Sequence, residues 1–204
     1  TTKKVTHVRD AIDLKRMMSI VVLSLIPVTL FGMWNVGYQA HTAMAQMDAA
    51  GAEYSLNWHS TVQRAIGLGH SPDSFIDNFV YGALHFIPIY IVCMFVGGHL
   101  ELIFSVLRGH EINEGFLVTG LLFPLILPPT IPLWQVAIGI AFGVVVGKEV
   151  FGGTGRNFLN PALTARAFLY FGHAGQISGD RVWTAVDGFS GATPLGHMSV
   201  AQGS

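Results

Sequence analysis

The sequence has little charge and almost no cysteine. Only 11% of its 204 residues are charged, against roughly 25% in an average soluble domain, while 51% are apolar and the mean hydropathy is +0.51. The net charge is −1, and no basic stripe interleaved with aromatics is present, so a nucleic-acid partner is not expected. Cys93 is the single cysteine, which excludes an internal disulfide framework. The composition predicts a protein of the lipid bilayer.

Five apolar segments predict an all-α, multi-span membrane domain over residues 17–171. A helix needs about 20 mostly apolar residues to cross a hydrocarbon core of about 30 Å. Lysines and arginines are frequent in residues 1–16, so the positive-inside rule predicts that this N-terminal segment is cytoplasmic. Lys148 and Arg156 are interpreted as further markers of the inner face. The apolar segments are 17–36, 75–98, 115–129, 131–150 and 158–171.

The third and fifth of these segments are poor candidates for ordinary spans. Segment 115–129 ends in two consecutive prolines, which stop a helix, and segment 158–171 contains Asn160 and Arg166. Broken helices are tolerated at membrane depth where they are buried in protein or line a cavity. If segment 158–171 crosses, residues 172–204 lie outside; if it dips and returns, they lie inside.

Glycines recur at four-residue spacing in the fourth segment, at Gly139, Gly143 and Gly147. On a helix this spacing places them along one face, where another helix can approach closely. We predict a packing seam there. An incidental excess among the 24 glycines of the chain is the alternative.

Residues 187–195, DGFSGATPL, form the sharpest local string. Two glycines allow close approach and positive φ in this turn-rich polar segment, and Thr193 presents a hydroxyl. From its chemistry alone, that hydroxyl could be phosphorylated, bind an ion, or cap a helix that begins near Pro194.

The same string has the pattern Asp-x-x-Ser/Thr-x-Ala-Thr, which flavin transferases recognise when they join FMN to the final threonine through a phosphoester. Asp187, Ser190, Ala192 and Thr193 match this pattern, and Gly191 lies within it. The match implies a covalent flavin on Thr193. Asp187 would then be a recognition or metal contact for the transferase.

Three further strings resemble one protein family. They are KKVTHVRDAIDLKRMM at 3–18, FVGGHLE at 95–101 and GRNFLNPALTARAF at 155–168. In this order, and together with the flavin-attachment string, they resemble the B-subunit of the Na⁺-translocating NADH:quinone oxidoreductases over essentially the whole chain. The resemblance implies a helical bundle with broken helices, similar to urea and ammonium channels, of which this chain would be the first half.

The resemblance also implies cofactors, partners and location. We expect covalent FMN in a periplasmic segment 172–204, a non-covalent riboflavin deeper in the protein, and ubiquinone as the substrate. The expected partners are the other subunits of a bacterial inner-membrane complex, the flavin transferase, Na⁺ and the lipid bilayer. The chain would be an electron-transfer subunit of a translocase, with no complete active site of its own.

Four polar residues of the string at 155–168 are candidate flavin or quinone contacts, namely Arg156, Asn157, Asn160 and Arg166. The arginines could neutralise a reduced flavin, and the asparagines could project polar groups into the bundle. The alternatives are that the arginines extend to an interface and that the asparagines cap helix ends.

Gly97 and Gly98 precede Glu101 at the end of the second segment. Two missing side chains would leave a slot for a flat ring, so we predict a quinone-binding wall here and assign Phe168 to the same quinone site. An acid at the membrane boundary also marks ion paths, so Glu101 is a candidate for a sodium path. Ordinary close packing of the glycines and a solvated loop charge are the alternatives.

Two other functions remain open at this point. The homologous D-subunit of the Rnf ferredoxin:NAD⁺ oxidoreductase shares the flavin-attachment string, although the basic N-terminal segment and FVGGHLE favour the quinone enzyme. A channel or transporter for a small neutral solute would carry no covalent flavin. A haem held by His85 and His99 together is excluded, because fourteen residues of helix separate them by about 21 Å.

Overall fold

The computed structural model describes residues 13–51, 57–109 and 115–182, together with the single residue Met198. Helices are the regular structure of these ranges, with no strand among them, which confirms the predicted all-α class. The α-helices are α1 (Leu14–Ala49), α2 (Trp58–Ala65), α3 (Phe75–Arg108), α4 (Gly115–Leu125), α5 (Leu133–Gly147), α6 (Pro161–Gly172) and α7 (Ala174–Ile177).

Three helices of the described ranges are long and apolar enough to cross a membrane, judged by length and composition. They are Lys15–Ala49, Phe75–Arg108 and Leu133–Phe151, with mean hydropathies of 2.0, 2.0 and 1.5 in their most apolar windows. Only 6% of the α1 window is buried within the chain, so most of its apolar side chains face outward, as in a helix that contacts lipid. The fold is that of an integral membrane helical protein.

The two longest helices continue beyond the apolar segments. α1 extends past residue 36 to Ala49, because residues 37–49 are rich in alanine, methionine and glutamine, which favour helix. α3 extends beyond the apolar segment 75–98 to Arg108. It ends where Gly109 adopts the left-handed conformation, with φ of 65°.

α1 and α3 cross with their backbones in contact. A Cβ atom added at Gly37 would overlap the backbone of Asn78, and one added at Gly82 would overlap the backbone of Met33. In each helix the two contact residues are four positions apart, so they lie on one helical face. The crossing therefore depends on glycine at both contact points.

The predicted glycine seam of α5 is confirmed, and its partner is α6. Gly139, Gly143 and Gly147 all face that helix. A Cβ atom added at Gly143 would overlap the carbonyl oxygen of Pro161 and lie 2.7 Å from Cβ of Ala165. The seam holds the short helix α6 against a long one.

Segments 115–129 and 158–171 contain the short helices α4 and α6, of 11 and 12 residues. At 1.5 Å per residue each is less than about 20 Å long, shorter than a hydrocarbon core. Both helices pack against longer ones, around the fully buried side chains of Phe123, Ile140 and Leu169. Each short helix begins at the same end of the bundle, beside Lys148.

Candidate functional site

A cavity of about 320 Å³ opens beside Lys148, where α4 and α6 begin. Its volume falls within the range of about 300–1,000 Å³ that is typical of small-molecule sites. Polar side chains from several parts of the chain converge on it, as ligand recognition requires. They belong to Thr119, Lys148, Thr154, Asn157 and Asn160.

Two helix N-termini line this cavity, at Gly115 of α4 and Pro161 of α6. Asn160 caps α6, since its side-chain oxygen accepts hydrogen bonds from the backbone N–H groups of Ala162 at 3.0 Å and Leu163 at 3.2 Å. The helix dipole makes each of these ends locally positive. The cavity therefore suits an electron-rich or anionic ligand.

A cluster of four charged side chains lies next to the cavity, between α3 and the end of α5. Nζ of Lys148 lies 2.5 Å from Oε1 of Glu101 and 4.0 Å from Oε1 of Glu149. Nη1 of Arg108 lies 2.9 Å from Oε2 of Glu149, and Nη2 donates to the backbone oxygen of Glu149. Glu101 is 3% exposed, which excludes the alternative of a solvated loop charge.

The cavity brings together two of the four predicted polar contacts. Asn157 and Asn160 line it, whereas the side chains of Arg156 and Arg166 are exposed and do not. Asn157 also donates from Nδ2 to the backbone oxygen of Leu159 at 2.7 Å, which orients its amide. A flavin contact by either arginine stays a prediction.

The space beside Gly97 and Gly98 is occupied by the ring of Phe116. A Cβ atom added at Gly97 would lie 2.5 Å from Cζ of that ring, and one added at Gly98 would lie 3.7 Å from Cε1. Phe168 stacks on Phe142, with ring centroids 4.3 Å apart and planes 12° apart. A quinone could enter the predicted slot only if Phe116 moved, and the quinone assignments stay predictions.

The predicted flavin-attachment residues Asp187, Ser190, Gly191, Ala192 and Thr193 lie outside the described residues. Their assignment rests on the sequence pattern alone. The last continuous range that the structure describes ends at Val182, five residues before Asp187.

Comparison with known proteins decides the family. The model of the NQR2, RnfD, RnfE family matches residues 1–203. The chain belongs to this family. The matched residues include the three long apolar helices and the residues that line the cavity.

Members of the family with curated names are closely similar to the chain. It is 60% identical to the B-subunit of the Na(+)-translocating NADH-quinone reductase of Stutzerimonas stutzeri (strain A1501), over 95% of this chain and 48% of the relative. It is 56% identical to the corresponding subunit of Yersinia pestis, over 98% and 49%, and 54% identical to that of Neisseria meningitidis serogroup B, over 97% and 48%. The chain spans about half the length of the curated relatives it matches.

The sequence did not predict that Lys148 is buried and belongs to the candidate site. It was interpreted as a marker of the inner face, but its side chain is only 5% exposed and pairs with Glu101, 47 residues earlier. Thr119 and Thr154 were also missed, and the Oγ1 atom of Thr154 is buried without a hydrogen-bond partner. The signal that could have revealed Lys148 was a lysine directly after an apolar helix, since ionisable residues next to membrane spans are often functional.

A second polar cluster lies far from the cavity, where three histidines surround Tyr81 and a fourth stacks on one of them. The rings of His59 and His85 stack with centroids 3.6 Å apart, and those of His41 and His70 with centroids 5.4 Å apart. Each histidine has at least one buried ring nitrogen without a hydrogen-bond partner. Among the described residues, no group of three or more metal-ligating side chains is arranged to hold a metal ion.

Acidification is expected to release α2 from this cluster. Burial, with a smaller contribution from the neighbouring His85, lowers the pKa of His59 from 6.5 to about 4. The fold thus favours neutral His59, so the associated stability is complete above pH 6.5 and is lost as the pH falls toward 4. The ring of Trp58 lies 3.8 Å from that of His59, so its fluorescence should report the transition in a variant without the other tryptophans.

The control for this pH effect is His59→Phe, which keeps an aromatic ring but cannot take up a proton. We expect it to remove the Trp58 transition between pH 6.5 and 4. A transition of unchanged midpoint and amplitude in that variant would assign it to another group.

Proposed function

We propose that the full-length protein containing this chain is the electron-transfer subunit of a sodium-pumping NADH:ubiquinone oxidoreductase. The observation that carries the proposal is 60% identity, along 95% of the chain, to a relative named as the B-subunit of a Na(+)-translocating NADH-quinone reductase. The complex as a whole would be the enzyme, a translocase. NADH oxidation would take place in another subunit, because the chain has no nucleotide-binding motif.

The first proposed cofactor is FMN bound to Thr193. The string from Asp187 to Thr193 matches the pattern that flavin transferases recognise, with Ser190, Gly191 and Ala192 in place. The hydroxyl of Thr193 would hold FMN as a phosphoester, on the periplasmic side of the inner membrane. The transferase is thus a proposed partner during maturation.

The second proposed cofactor is a non-covalent flavin, riboflavin, in the cavity beside Lys148. A flavin supplies the acceptance and donation of single electrons, while the protein supplies position and electrostatics. The cavity fits this role because Asn157 and Asn160 offer amide groups, and Lys148 offers a positive charge. Thr154 adds a buried hydroxyl without a hydrogen-bond partner.

The remaining proposals concern ubiquinone, sodium and orientation. Ubiquinone would bind near Gly97, Gly98 and Phe168, and Glu101 would belong to the sodium path. The N-terminal segment 1–16 would be cytoplasmic, so the Lys148 end of the bundle would face the cytoplasm. The other subunits of the complex would contact the surfaces that this chain leaves exposed.

In-gel fluorescence of the denatured full-length protein tests the covalent flavin. Expressed with its flavin transferase, the parent protein should show a fluorescent band, and Thr193→Ala should show none. The matched control is Thr61→Ala, which changes an exposed threonine of α2 and should keep the signal. A dark parent band, with a transferase shown to be active, would favour a small-solute channel or transporter instead.

Extraction of non-covalent flavin from the same preparations tests the second cofactor. Asn160→Ser keeps a residue type that caps helices but shortens the side chain in the cavity, so we expect less extractable flavin with α6 intact. Undiminished flavin in this variant would argue against Asn160 as a contact.

An activity assay of the complex distinguishes the two redox families. Reduction of NAD⁺ by ferredoxin, without quinone reduction, would identify the complex as the Rnf type.

A further inference from the structure

The short helix α2 has its polar side chains buried and its apolar side chains exposed. Ser60 and Gln63 are completely buried, whereas Trp58, Val62 and Ile66 are 55%, 37% and 58% exposed. Trp58, Val62 and Ile66, which caps the C-terminus of the helix, are four positions apart and so lie on one face. A surface helix in water shows the opposite arrangement, with apolar residues inside and polar residues outside. The exposed face of α2 is therefore suited to apolar surroundings.

Hydrogen bonds hold the polar face of α2 against α3. Nε2 of Gln63 donates to the backbone oxygens of Gly69 at 2.7 Å and Asp77 at 3.1 Å. Nδ2 of Asn57, the N-cap of α2, donates to the hydroxyl oxygen of Tyr81 at 3.1 Å. Buried polar groups need such partners, so a rotation that turned the apolar face inward would be unfavourable. The apolar face of α2 is thus held away from the bundle.

The contacts of His59 place α2 level with the start of the apolar helix α5. The ring of His59 stacks on that of His85, with centroids 3.6 Å apart, and Nδ1 of His85 donates to the backbone oxygen of Pro129 at 3.2 Å. Pro129 lies just before the segment Leu133–Phe151, which is long and apolar enough to cross a membrane. Trp134 at this end is 56% exposed, and tryptophans are frequent where spanning helices leave the hydrocarbon. α2 is therefore at the depth of a membrane–water interface.

Helix α1 gives the same depth. Asn57 of α2 binds Tyr81 of α3, and the next residue of α3, Gly82, packs its backbone on that of Met33 in α1. Met33 lies in the last turn of the apolar segment 17–36. Only 6% of the most apolar window of α1 is buried within the chain. α2 is thus level with the last apolar turn of a helix whose side chains largely face outward, as lipid contact requires.

We propose that α2 is an interfacial helix, which lies along the membrane surface and inserts Trp58, Val62 and Ile66 between the phospholipid headgroups and the acyl chains. Helices of this kind bury their apolar face about 5–10 Å into that boundary. Here the protein binds the polar face, and lipid contacts the apolar face. Thr61 and Arg64 are exposed on a third side of the helix, where they meet water. Lipid, rather than another subunit, occupies the apolar face, and no bound flavin is needed for this contact.

Photocross-linking identifies what covers this face. The full-length protein is tested within its complex, in liposomes of phosphatidylcholine and phosphatidylglycerol. Trp58→p-benzoylphenylalanine replaces one large aromatic side chain by another at an exposed position, so the fold should be kept. Light couples the benzophenone to a nearby C–H bond, and mass spectrometry of the labelled peptide identifies the product. We expect an adduct with a phospholipid.

The matched control is Arg64→p-benzoylphenylalanine, on the same helix but on the side that faces water. Its yield of lipid adduct should be several-fold smaller. Ile66→p-benzoylphenylalanine, at the other end of the apolar face, should again give the lipid adduct in high yield.

Spin labels on introduced cysteines measure the depth of α2 in the same liposomes. In Val62→Cys the label should collide mainly with oxygen dissolved in the lipid and lie about 5–10 Å into the headgroup boundary. In Arg64→Cys it should collide mainly with a water-soluble nickel chelate. The parent protein, treated in the same way, gives the background from other cysteines.

Three results would overturn the inference. The first is cross-linking from Trp58 to another subunit or to another part of the full-length polypeptide, because protein would then cover the face. The second is an equal yield of lipid adduct from positions 58 and 64, because the contact would then not depend on the face. The third is a label at position 62 that collides with the nickel chelate as often as the label at position 64, because α2 would then lie in water.

Discussion

Gly82→Ala is expected to push α1 away from α3 and to lower the stability of the protein by about 3 kcal/mol. The added methyl group would overlap the backbone of Met33, and a helix backbone cannot rotate aside as a side chain can. Gly37→Ala should act in the same way through the backbone of Asn78. The thermal unfolding midpoint of the full-length protein in detergent, followed by circular dichroism, measures the effect.

The matched control for this prediction is Gly32→Ala, on the same helix α1. A Cβ atom added at Gly32 meets no atom within 4 Å. Alanine is the better helix former by about 0.5–1 kcal/mol, so this variant should be as stable as the parent or slightly more stable. Equal losses in Gly32→Ala and Gly82→Ala would show that the crossing is not the cause.

Breaking the ion pair between Glu101 and Lys148 from one side is expected to cost about 3–5 kcal/mol, because the remaining charge is buried without its partner. Glu101→Gln and Lys148→Met should each show this loss. The double variant should recover most of it, since no unpaired charge remains. Thermal midpoints of the four proteins in detergent form a double-mutant cycle that isolates the coupling between the two side chains.

The reference for this cycle is Arg16→Met combined with Glu101→Gln. Arg16 is exposed, so its loss should simply add to that of Glu101→Gln without recovery. Additive losses in the Glu101 and Lys148 cycle as well would contradict a direct pair. Either outcome bears on stability alone and is independent of any bound flavin.

Several features followed from local sequence patterns. Runs of apolar residues predict that the chain is a membrane protein, because any helix that crosses the bilayer must be mostly apolar, whatever its tertiary contacts are. The seam of Gly139, Gly143 and Gly147 was predictable because all three glycines lie on one helix at regular spacing. Asn160 as a helix cap followed from its position before Pro161, where a helix begins.

Other features involve residues with no local pattern. Gly37 and Gly82 form a crossing although neither belongs to a series of regularly spaced glycines on its helix, so the sequence pattern did not predict their role. The ring of Phe116, which comes from another helix, lies in the space beside Gly97, and the spacing of the two glycines could not indicate this contact. α3 runs past the apolar segment 75–98 to Arg108, and the charge of Glu101 within it is paired by Lys148 from another part of the chain.

The sequence by itself determined that the chain is an α-helical membrane protein of one family, because hydropathy and ordered motifs are properties of short segments. Only the tertiary structure decided which polar groups meet. The pair of Glu101 and Lys148 joins positions 47 residues apart, and the four histidines of the cluster at Tyr81 come from α1, α2, α3 and the connection before α3. Such contacts depend on how whole helices pack. A buried charged or polar side chain needs a partner, and the packing of the helices decides which residue that partner is.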